Sequence, residues 1–524
     1  MREYFNIYLK PSVAILLYPV LLSLMLEIII HEIEFSTFLN LAENILFAVI
    51  VLIMVNLLSY FKYGKKIANF IIGAFYLMLI IETGLYLLFQ TRFNASYIYV
   101  ILNTNYNEVK EFSIVYYNKN LFWLLLFFMP LFLSFKRKNF KKATGISKKM
   151  RPNFIAIIII LAILKFSGLI VYNLSYISIK SYVQYNKQIA SINASVNSKN
   201  NLKTELVTDN DVIVVVIGES ASRKHMEIYG YNRNTNPNLK ALSDSLVVYD
   251  NVISPHAYTT GSIKDIFTLS NYETPDAENT LINYIKSAGF KVVWLSNHRA
   301  VGVHDNLVSR LASSSDETQF LNYNDFRKNT LHDEVLLPKI KNKLSEKGKK
   351  VIFVHLVGSH YAYNKRYPDN FIKFSSSEAN RKNDIINTYD NSILYTDFIL
   401  SEIINSVKNI NQKSAVLYFS DHGEEVYDVA NYFGHFEDKP TSTMYEVPFF
   451  VYMSPTFERP EGFVVDKSRP YMLDDFPHSF THFIGIESDL LSKSRSVFSD
   501  NFELRKRIIQ ENIDFDEFKS IENK

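Results

Sequence analysis

The 524-residue sequence contains no cysteine. That absence excludes disulfides, thiolate-ligated zinc, iron–sulfur ligation and a thiol nucleophile. It leaves the compartment open, because an exported protein can dispense with disulfides. Charge of one sign is nearly lacking too: 56 Lys and Arg stand against 53 Asp and Glu, a net charge of +3. So small an excess, with no basic face interleaved with aromatics, argues against a nucleic-acid binder. Aromatics are plentiful, with 34 Tyr and 40 Phe, which argues against disorder. Length predicts two to four domains. The near-neutral mean hydropathy averages two regions that differ sharply.

Long apolar runs are confined to the first third. Five occur, at 12–30, 41–61, 67–89, 121–135 and 154–173. Most reach the length of about 20 residues needed to cross a bilayer core; the fourth is short unless it begins earlier. The first is followed by Glu27, His31 and Glu32 rather than by a small-residue cleavage site, so it reads as a helix and not as a cleavable signal. Loop charge sets an expected orientation. With the N-terminus inside, the inner segments carry thirteen basic residues, eight of them between Lys136 and Arg151, against Arg92, Lys110 and Lys119 outside. The positive-inside bias then puts everything after about residue 173 outside the cytoplasm.

The outer loop 90–120 contains a segment, 96–112, with apolar residues at Ile98, Val100–Leu102 and Val109. Two readings stand equally: an amphipathic helix lying at the membrane surface, or a short helix packed on the outer domain. Residues 174–210 read as a juxtamembrane helix and linker. The expected organisation is therefore a five-helix transmembrane domain over 1–173 with an interfacial segment at 90–120, a linker over 174–210, and an outer domain over 211–524.

From residue 211 onward, β-branched or aromatic apolar runs alternate with helix-like segments. The runs fall at 211–218, 291–295, 350–357, 414–419 and 447–452, and the helical patterns at 279–288, 334–347 and 384–408. Continuous apolar runs predict strands buried on both faces. The alternation predicts an α/β domain with a mainly parallel, doubly wound sheet. Sites in such sheets gather beyond the carboxyl ends of the strands.

The residues at those ends bear chemistry. Glu219 follows the first strand directly, where it could be a rigidly held metal ligand or a helix cap. Asp421 and His422 follow the fourth strand and precede Gly423, offering one oxygen and one imidazole nitrogen at a sharp turn. Such a mixed donor set suits zinc, with manganese as the alternative. The same segment could open a helix, with Asp421 as cap and Glu424 and Glu425 in the first turn. His355 and His360 flank another strand end, and His435 lies in an aromatic loop. Without cysteine the nucleophile must be Ser, Thr or a metal-bound water, and composition singles out none.

Taken in order, Gly218-Glu-Ser-Ala-Ser-Arg223, Tyr229-Gly-Tyr-Asn-Arg-Asn-Thr-Asn-Pro237, Tyr389-Asp-Asn-Ser-Ile-Leu-Tyr-Thr-Asp397, Ser420-Asp-His-Gly-Glu-Glu425 and Phe433-Gly-His435 resemble the bacterial phosphoethanolamine transferases that modify lipopolysaccharide. These belong to the alkaline phosphatase/sulfatase-like superfamily. The resemblance extends to five N-terminal helices, a surface helix, a linker and a periplasmic catalytic domain. It implies that Glu219, Asp421 and His422 bind the metal together with the oxygen of Thr259, and that Thr259 is the nucleophile, Thr260 being the alternative. It further implies that His360 and His435 lie near the substrate phosphate. Two departures stand out. Many members carry a Cys beside the nucleophile and periplasmic disulfides, so packing must hold that loop here. A Lys that some members place before Gly302 is absent, with His298 or Arg299 as substitutes.

The implied activity is transfer of phosphoethanolamine from phosphatidylethanolamine, through a phosphothreonine-type intermediate, to lipid A or core sugar of lipopolysaccharide, releasing diacylglycerol. The implied setting is the bacterial inner membrane, multi-pass, with the catalytic domain in the periplasm. Three rivals are weighed against it. A glycerophosphotransferase of the lipoteichoic-acid or periplasmic-glucan type shares the architecture. A sulfatase lacks support, because no Cys/Ser-x-Pro-x-Arg site exists. A non-catalytic membrane sensor would have no need of Glu219, Thr259, Asp421 and His422.

Overall fold

The computed structural model describes residues 10–30, 33, 35–58, 61, 63–89, 92–104, 106–128, 147–167, 173–197, 202–274, 279–298, 307–322, 331–375 and 380–524. Chain contacts divide it into two compact units: 1–99 with 113–184, and 100–112 with 185–524.

The N-terminal unit is helical: α1 (Lys10–Ile30), α2 (Phe35–Leu58), α3 (Gly64–Phe89), then, past α4 (Ala95–Asn103) and α5 (Tyr106–Val115), a 3-10 stretch Lys119–Phe128, α6 (Ser147–Phe166) and α7 (Leu174–Asn197). Among the described residues, only α2 and α3 are both long and apolar enough to cross a membrane; Val13–Ile29, Lys119–Phe128 and Pro152–Phe166 are shorter apolar helices. All five coincide with the apolar runs of the sequence, although part of the fourth run, 129–135, lies outside the described residues, as does most of the basic loop 136–151. Helices α1 to α3 pack on one another around Leu16, Val20, Ala48, Val51, Phe75 and Leu79. Inside this apolar packing Arg92 pairs with Glu27 at 3.3 Å, and Asn40 donates to the same carboxylate. Pairing of this kind is what a buried charge requires.

The C-terminal unit is built on a seven-stranded sheet: β1 (Val212–Gly218), β2 (Leu246–Tyr249), β3 (Lys291–Ser296), β4 (Glu317–Phe320), β5 (Lys350–His355), β6 (Ser414–Ser420) and β7 (Phe449–Met453), in the spatial order β2-β7-β6-β1-β5-β3-β4. Strands β6, β1, β5, β3 and β4 run parallel. β7 is antiparallel to both β6 and β2, so the sheet is mainly parallel, as the sequence predicted, but is made mixed by one reversed strand that the sequence did not show. The reason is that β7 is buried on both faces, and its apolar run carries no mark of direction. The two strands not foreseen, β2 and β4, are the sheet edges; they are short and only partly buried, and so lack a continuous apolar run.

Alternate residues of the central strands pack to opposite faces. Ile213, Val215 and Ile217 with Trp294, Phe353, Leu417 and Phe449 form one core. It takes in residues of α9 (Thr259–Phe267), α10 (Leu281–Ser287), α11 (Leu307–Ser313) and α14 (Phe476–Phe483), where α8 is Pro237–Ala241, α12 Leu337–Ser345 and α13 Arg381–Asn409. The long α13 lies against β6, and α12 packs on α13.

Candidate metal and phosphoryl-transfer site

The carboxyl ends of β1, β5 and β6 are neighbours in the sheet. Glu219, the 355–360 turn and Asp421-His422 therefore converge without any of them being close in sequence. The chain leaves β1 through a strained turn: Ser220 has φ 53, a left-handed conformation uncommon for a residue with a side chain. Tyr389 of α13 holds this turn, its hydroxyl donating to the Ser220 carbonyl and accepting from the Ser222 N–H, both at 2.8 Å. The Ser220 hydroxyl donates to Glu219 Oε1 at 2.8 Å. Across the turn, Gly358 also has positive φ, and a Cβ there would stand 2.9 Å from Glu219 backbone atoms. Only glycine permits the approach that lets the Ser359 N–H donate to the Glu219 carbonyl.

Glu219 is the hub. Thr259 Oγ1 donates to its Oε2 at 3.1 Å, and His422 Nε2 lies 3.2 Å from its Oε1. Asp421 Oδ1 accepts from the His422 and Ser220 N–H groups, and its Oδ2 lies 3.6 Å from His422 Nε2. His422 Nδ1 donates to the Gly423 carbonyl at 2.8 Å, which fixes the tautomer and turns Nε2 toward the carboxylates. Asp421 Oδ2 and His422 Nε2 are fully buried and have no hydrogen-bond partner. A buried carboxylate oxygen and a buried imidazole nitrogen without partners are costly in a dry site unless a cation takes them up. The donor set of oxygens and one nitrogen is one that zinc accepts.

The electrostatics agree. Burial opposes ionisation of Glu219, yet the hydrogen bond to and charge of His422 hold its carboxyl well below the usual range. Burial and the neighbouring Glu219 charge push Asp421 up. Burial opposes protonation of His422, but Asp421 and Glu219 outweigh it and raise it to about 10.

Around this centre stand four more histidines. His435 faces His422 with ring centroids 4.3 Å apart, and its Nδ1 lies 2.5 Å from Glu424 Oε2. His355 is buried and stacks on His298 at 4.1 Å. His298 Nε2 lies 4.0 Å from Glu219 Oε2, and its ring meets that of His360 edge-on at 6.5 Å. Burial holds the imidazoles of His355 and His360 well below the usual histidine range, so both are neutral at pH 7.

All six residues singled out in the sequence, Glu219, Thr259, His360, Asp421, His422 and His435, meet in this one cluster. Thr260 has no such contact with Glu219, whereas Thr259 does. The turn after β6 does not open a helix. The chain bends into a two-residue ladder, Glu425–Val426 with Phe433–Gly434, because Gly423 is pressed against the Thr443 backbone and a helix has no room there. Glu424 and Glu425 are therefore not first-turn helix carboxylates. Glu424, fully buried, accepts from His435 and from the Tyr363 hydroxyl; Glu425 accepts from Thr443 and from N–H groups of the 428–430 loop. Sequence spacing could not separate these roles, since an acidic pair after Asp-His-Gly has the pattern of a capped helix. Of the two substitutes for the absent Lys, His298 borders the Glu219 centre, while Arg299 lies outside the described residues.

The loop that carries Thr259 is held without a disulfide. His256 is clamped between Glu437 at 3.1 Å and Asp265 at 3.2 Å. The Gln510 N–H donates to the Pro255 carbonyl, and its side-chain amide donates to the Glu437 carbonyl. Packing and ionic contacts thus do what a covalent bridge would.

Comparison with known proteins places this geometry. The phosphoethanolamine transferase EptC of Escherichia coli (strain K12) is 32% identical over 352 residues, 63% of this chain and 61% of that protein, so the chain matches less than two thirds of this relative's length. The C-terminal periplasmic domain of Escherichia coli EptC, solved in complex with Zn, superposes with a TM-score of 0.57 at 30% identity, covering 60% of this chain and 96% of that one. The integral membrane protein lipooligosaccharide phosphoethanolamine transferase A (EptA) of Neisseria meningitidis shares the fold over 93% of this chain and 98% of its own, with a TM-score of 0.70 and 18% identity. The sulfatase family profile matches residues 211–486, more than half of the sequence, and the chain therefore belongs to the sulfatase family.

Proposed function

We propose that this protein is a zinc-dependent phosphoethanolamine transferase that carries phosphoethanolamine from phosphatidylethanolamine to lipid A or core sugar of lipopolysaccharide. The observation that carries the reading is the contact of Thr259 Oγ1 with Glu219 beside the orphaned Asp421 and His422 atoms. It is supported by relatives named for this activity, one of them a Kdo(2)-lipid A phosphoethanolamine 7''-transferase at 26% identity. Glu219, Asp421 and His422, with Thr259 Oγ1, would hold the zinc. Bound zinc lowers the pKa of a coordinated water to about 7 and acts on a hydroxyl in the same sense.

The chain's own residues then divide the work. Thr259 Oγ1 gives its proton to His435 Nε2 and bonds to phosphorus, and the bond from phosphorus to the diacylglycerol oxygen breaks. His435, whose Nδ1 donates to Glu424, presents Nε2 for proton exchange and protonates that leaving oxygen. In the second half the acceptor hydroxyl gives its proton to His435, bonds to phosphorus and releases Thr259, which takes that proton back from His435. Neutral His360 and the neighbouring His298 offer hydrogen bonds to the phosphoryl oxygens. The five apolar helices, crossing the inner membrane in the orientation set by loop charge, tether a periplasmic catalytic unit to the membrane that contains its donor.

Intact mass spectrometry of the purified protein after incubation with phosphatidylethanolamine, beside Thr259→Ala, tests this. A phosphoethanolamine adduct on the wild type alone is expected. An adduct on both would move the nucleophile to Thr260, and a glycerol phosphate adduct from phosphatidylglycerol instead would identify the rival activity.

A further inference from the structure

Segment 100–112 lies in sequence between two apolar helices, yet by its contacts it belongs to the C-terminal unit. One side chain makes the principal connection. Glu111, in α5 and almost fully buried, places Oε2 2.6 Å from Arg366 Nη2 and Oε1 3.0 Å from Lys365 Nζ. The Lys365 side chain is 45% exposed, so its pairing contributes little. The Arg366 side chain is 4% exposed, and a guanidinium so buried needs its counter-charge.

Arg366 spends the rest of its donors on the turn that bears His360. Nε donates to the carbonyls of His360 and Tyr361, at 3.1 and 3.2 Å, and Nη2 donates to Tyr361 at 2.9 Å. That turn is strained: Ala362 has φ 61, which a residue with a Cβ adopts only when its surroundings hold it there. The aromatic packing runs the same way. Phe112 meets Tyr361 edge-on at 6.2 Å, and Tyr361 packs against His360 with ring centroids 4.2 Å apart.

We infer that Glu111 is a positioning residue for group transfer: through Arg366 it fixes the main chain of the His360 turn, making segment 100–112 a structural part of the phosphoryl-transfer site. This rests on the reading of His360 as a phosphoryl contact. Glu111 itself touches neither the Glu219 centre nor its histidines; it acts at one remove, as a brace. Loss of the carboxylate frees the guanidinium fork, which releases the two carbonyls, and the His360 ring then samples more than one placement.

The test uses the full-length protein with phosphatidylethanolamine vesicles, following adduct formation over a range of donor concentrations. Glu111→Gln is expected to lower the maximal rate about ten- to hundredfold, the size of effect that misplacement of a catalytic group has, with an unchanged KM. Zinc content stays that of the wild type, while the melting temperature falls because the buried guanidinium loses its counter-charge. Glu111→Asp recovers part of the rate, whereas the charge-exchanged pair Glu111→Arg with Arg366→Glu does not, because a carboxylate at 366 has no hydrogen to donate to the His360 and Tyr361 carbonyls. A wild-type rate in Glu111→Gln overturns the inference. So does a loss confined to KM, which would make Glu111 a direct donor contact. Should Glu111→Gln fail to fold, Glu111→Asp and Arg366→Lys carry the test, and failure of those to fold would show a purely structural pair. A wild type that forms no adduct overturns the functional reading itself, and that outcome is visible before any variant is made.

Discussion

Glu424 shows how a residue's chemistry can be hidden by its neighbours in sequence. It follows Asp-His-Gly and looks like a surface carboxylate, but it is fully buried and orients His435. A carboxylate on Nδ1 leaves Nε2 as the only ring atom free to exchange a proton. Glu424→Gln keeps the size and a hydrogen-bonding atom but removes the carboxylate that takes Nδ1 and orients the ring. It should lower the rate of adduct formation about 10- to 100-fold, as loss of a group that orients a histidine does. Zinc content measured by atomic absorption should stay at the wild-type level, because the Glu219, Asp421 and His422 atoms are untouched. A matching loss of zinc would instead make Glu424 part of the metal centre. At this scale the sequence disclosed Glu219, Asp421 and His422 because they stand directly after apolar strands. It disclosed Thr259 and His435 only through resemblance, since hydroxyls and lone histidines are common.

At the scale of elements, two motifs that looked like separate signatures turn out to be one fastening. Tyr389, Asp390 and Asp397 lie on α13. Asp397 accepts from the Asn238 and Leu239 N–H groups at the start of α8, and Tyr389 holds the Glu219 turn. Asp390 takes His225 Nδ1 at 2.6 Å, the Tyr231 hydroxyl at 3.0 Å and Arg233 at 2.8 Å, while Asp428 meets His225 Nε2 at 3.2 Å. Burial opposes protonation of His225, but the two carboxylates raise it to about 9 from an ordinary 6.5. A histidine whose folded value is raised contributes stability that is complete below the unfolded value and lost as pH rises through the folded one. Wild-type stability should therefore fall between pH 6.5 and 9. The fall should be on the order of 3 kcal/mol from this group. His225→Gln should be less stable at low pH and show a flatter profile over the same window, measured by urea unfolding. Equal slopes in the two proteins would mean that His225 is neutral in the fold.

For the whole molecule, the two units pose different questions. The N-terminal helices are apolar, but among the described residues only α2 and α3 have the length and composition to span a bilayer by themselves. Five crossings with thirteen basic residues inside remain an expectation that the chain is unusually well suited to test, since it has no cysteine of its own. Single cysteines at Lys142 and at Lys347, in intact cells treated with a membrane-impermeant maleimide, should give labelling at position 347 and none at 142. Labelling at 142 would reverse the orientation.

The sequence by itself determined the apolar helices, the buried central strands and the chemistry at their carboxyl ends, because those follow from local hydropathy and from which residue stops a strand. It could not determine the reversed direction of β7, the two edge strands, the ladder in place of a helix after Gly423, or the pairing of Glu111 with Arg366 across 254 intervening residues. Strand direction is set by which neighbour's hydrogen bonds are satisfied, and a buried charge pair by which opposite charge the folded chain brings within reach. Both are properties of packing, and no short stretch of sequence contains them.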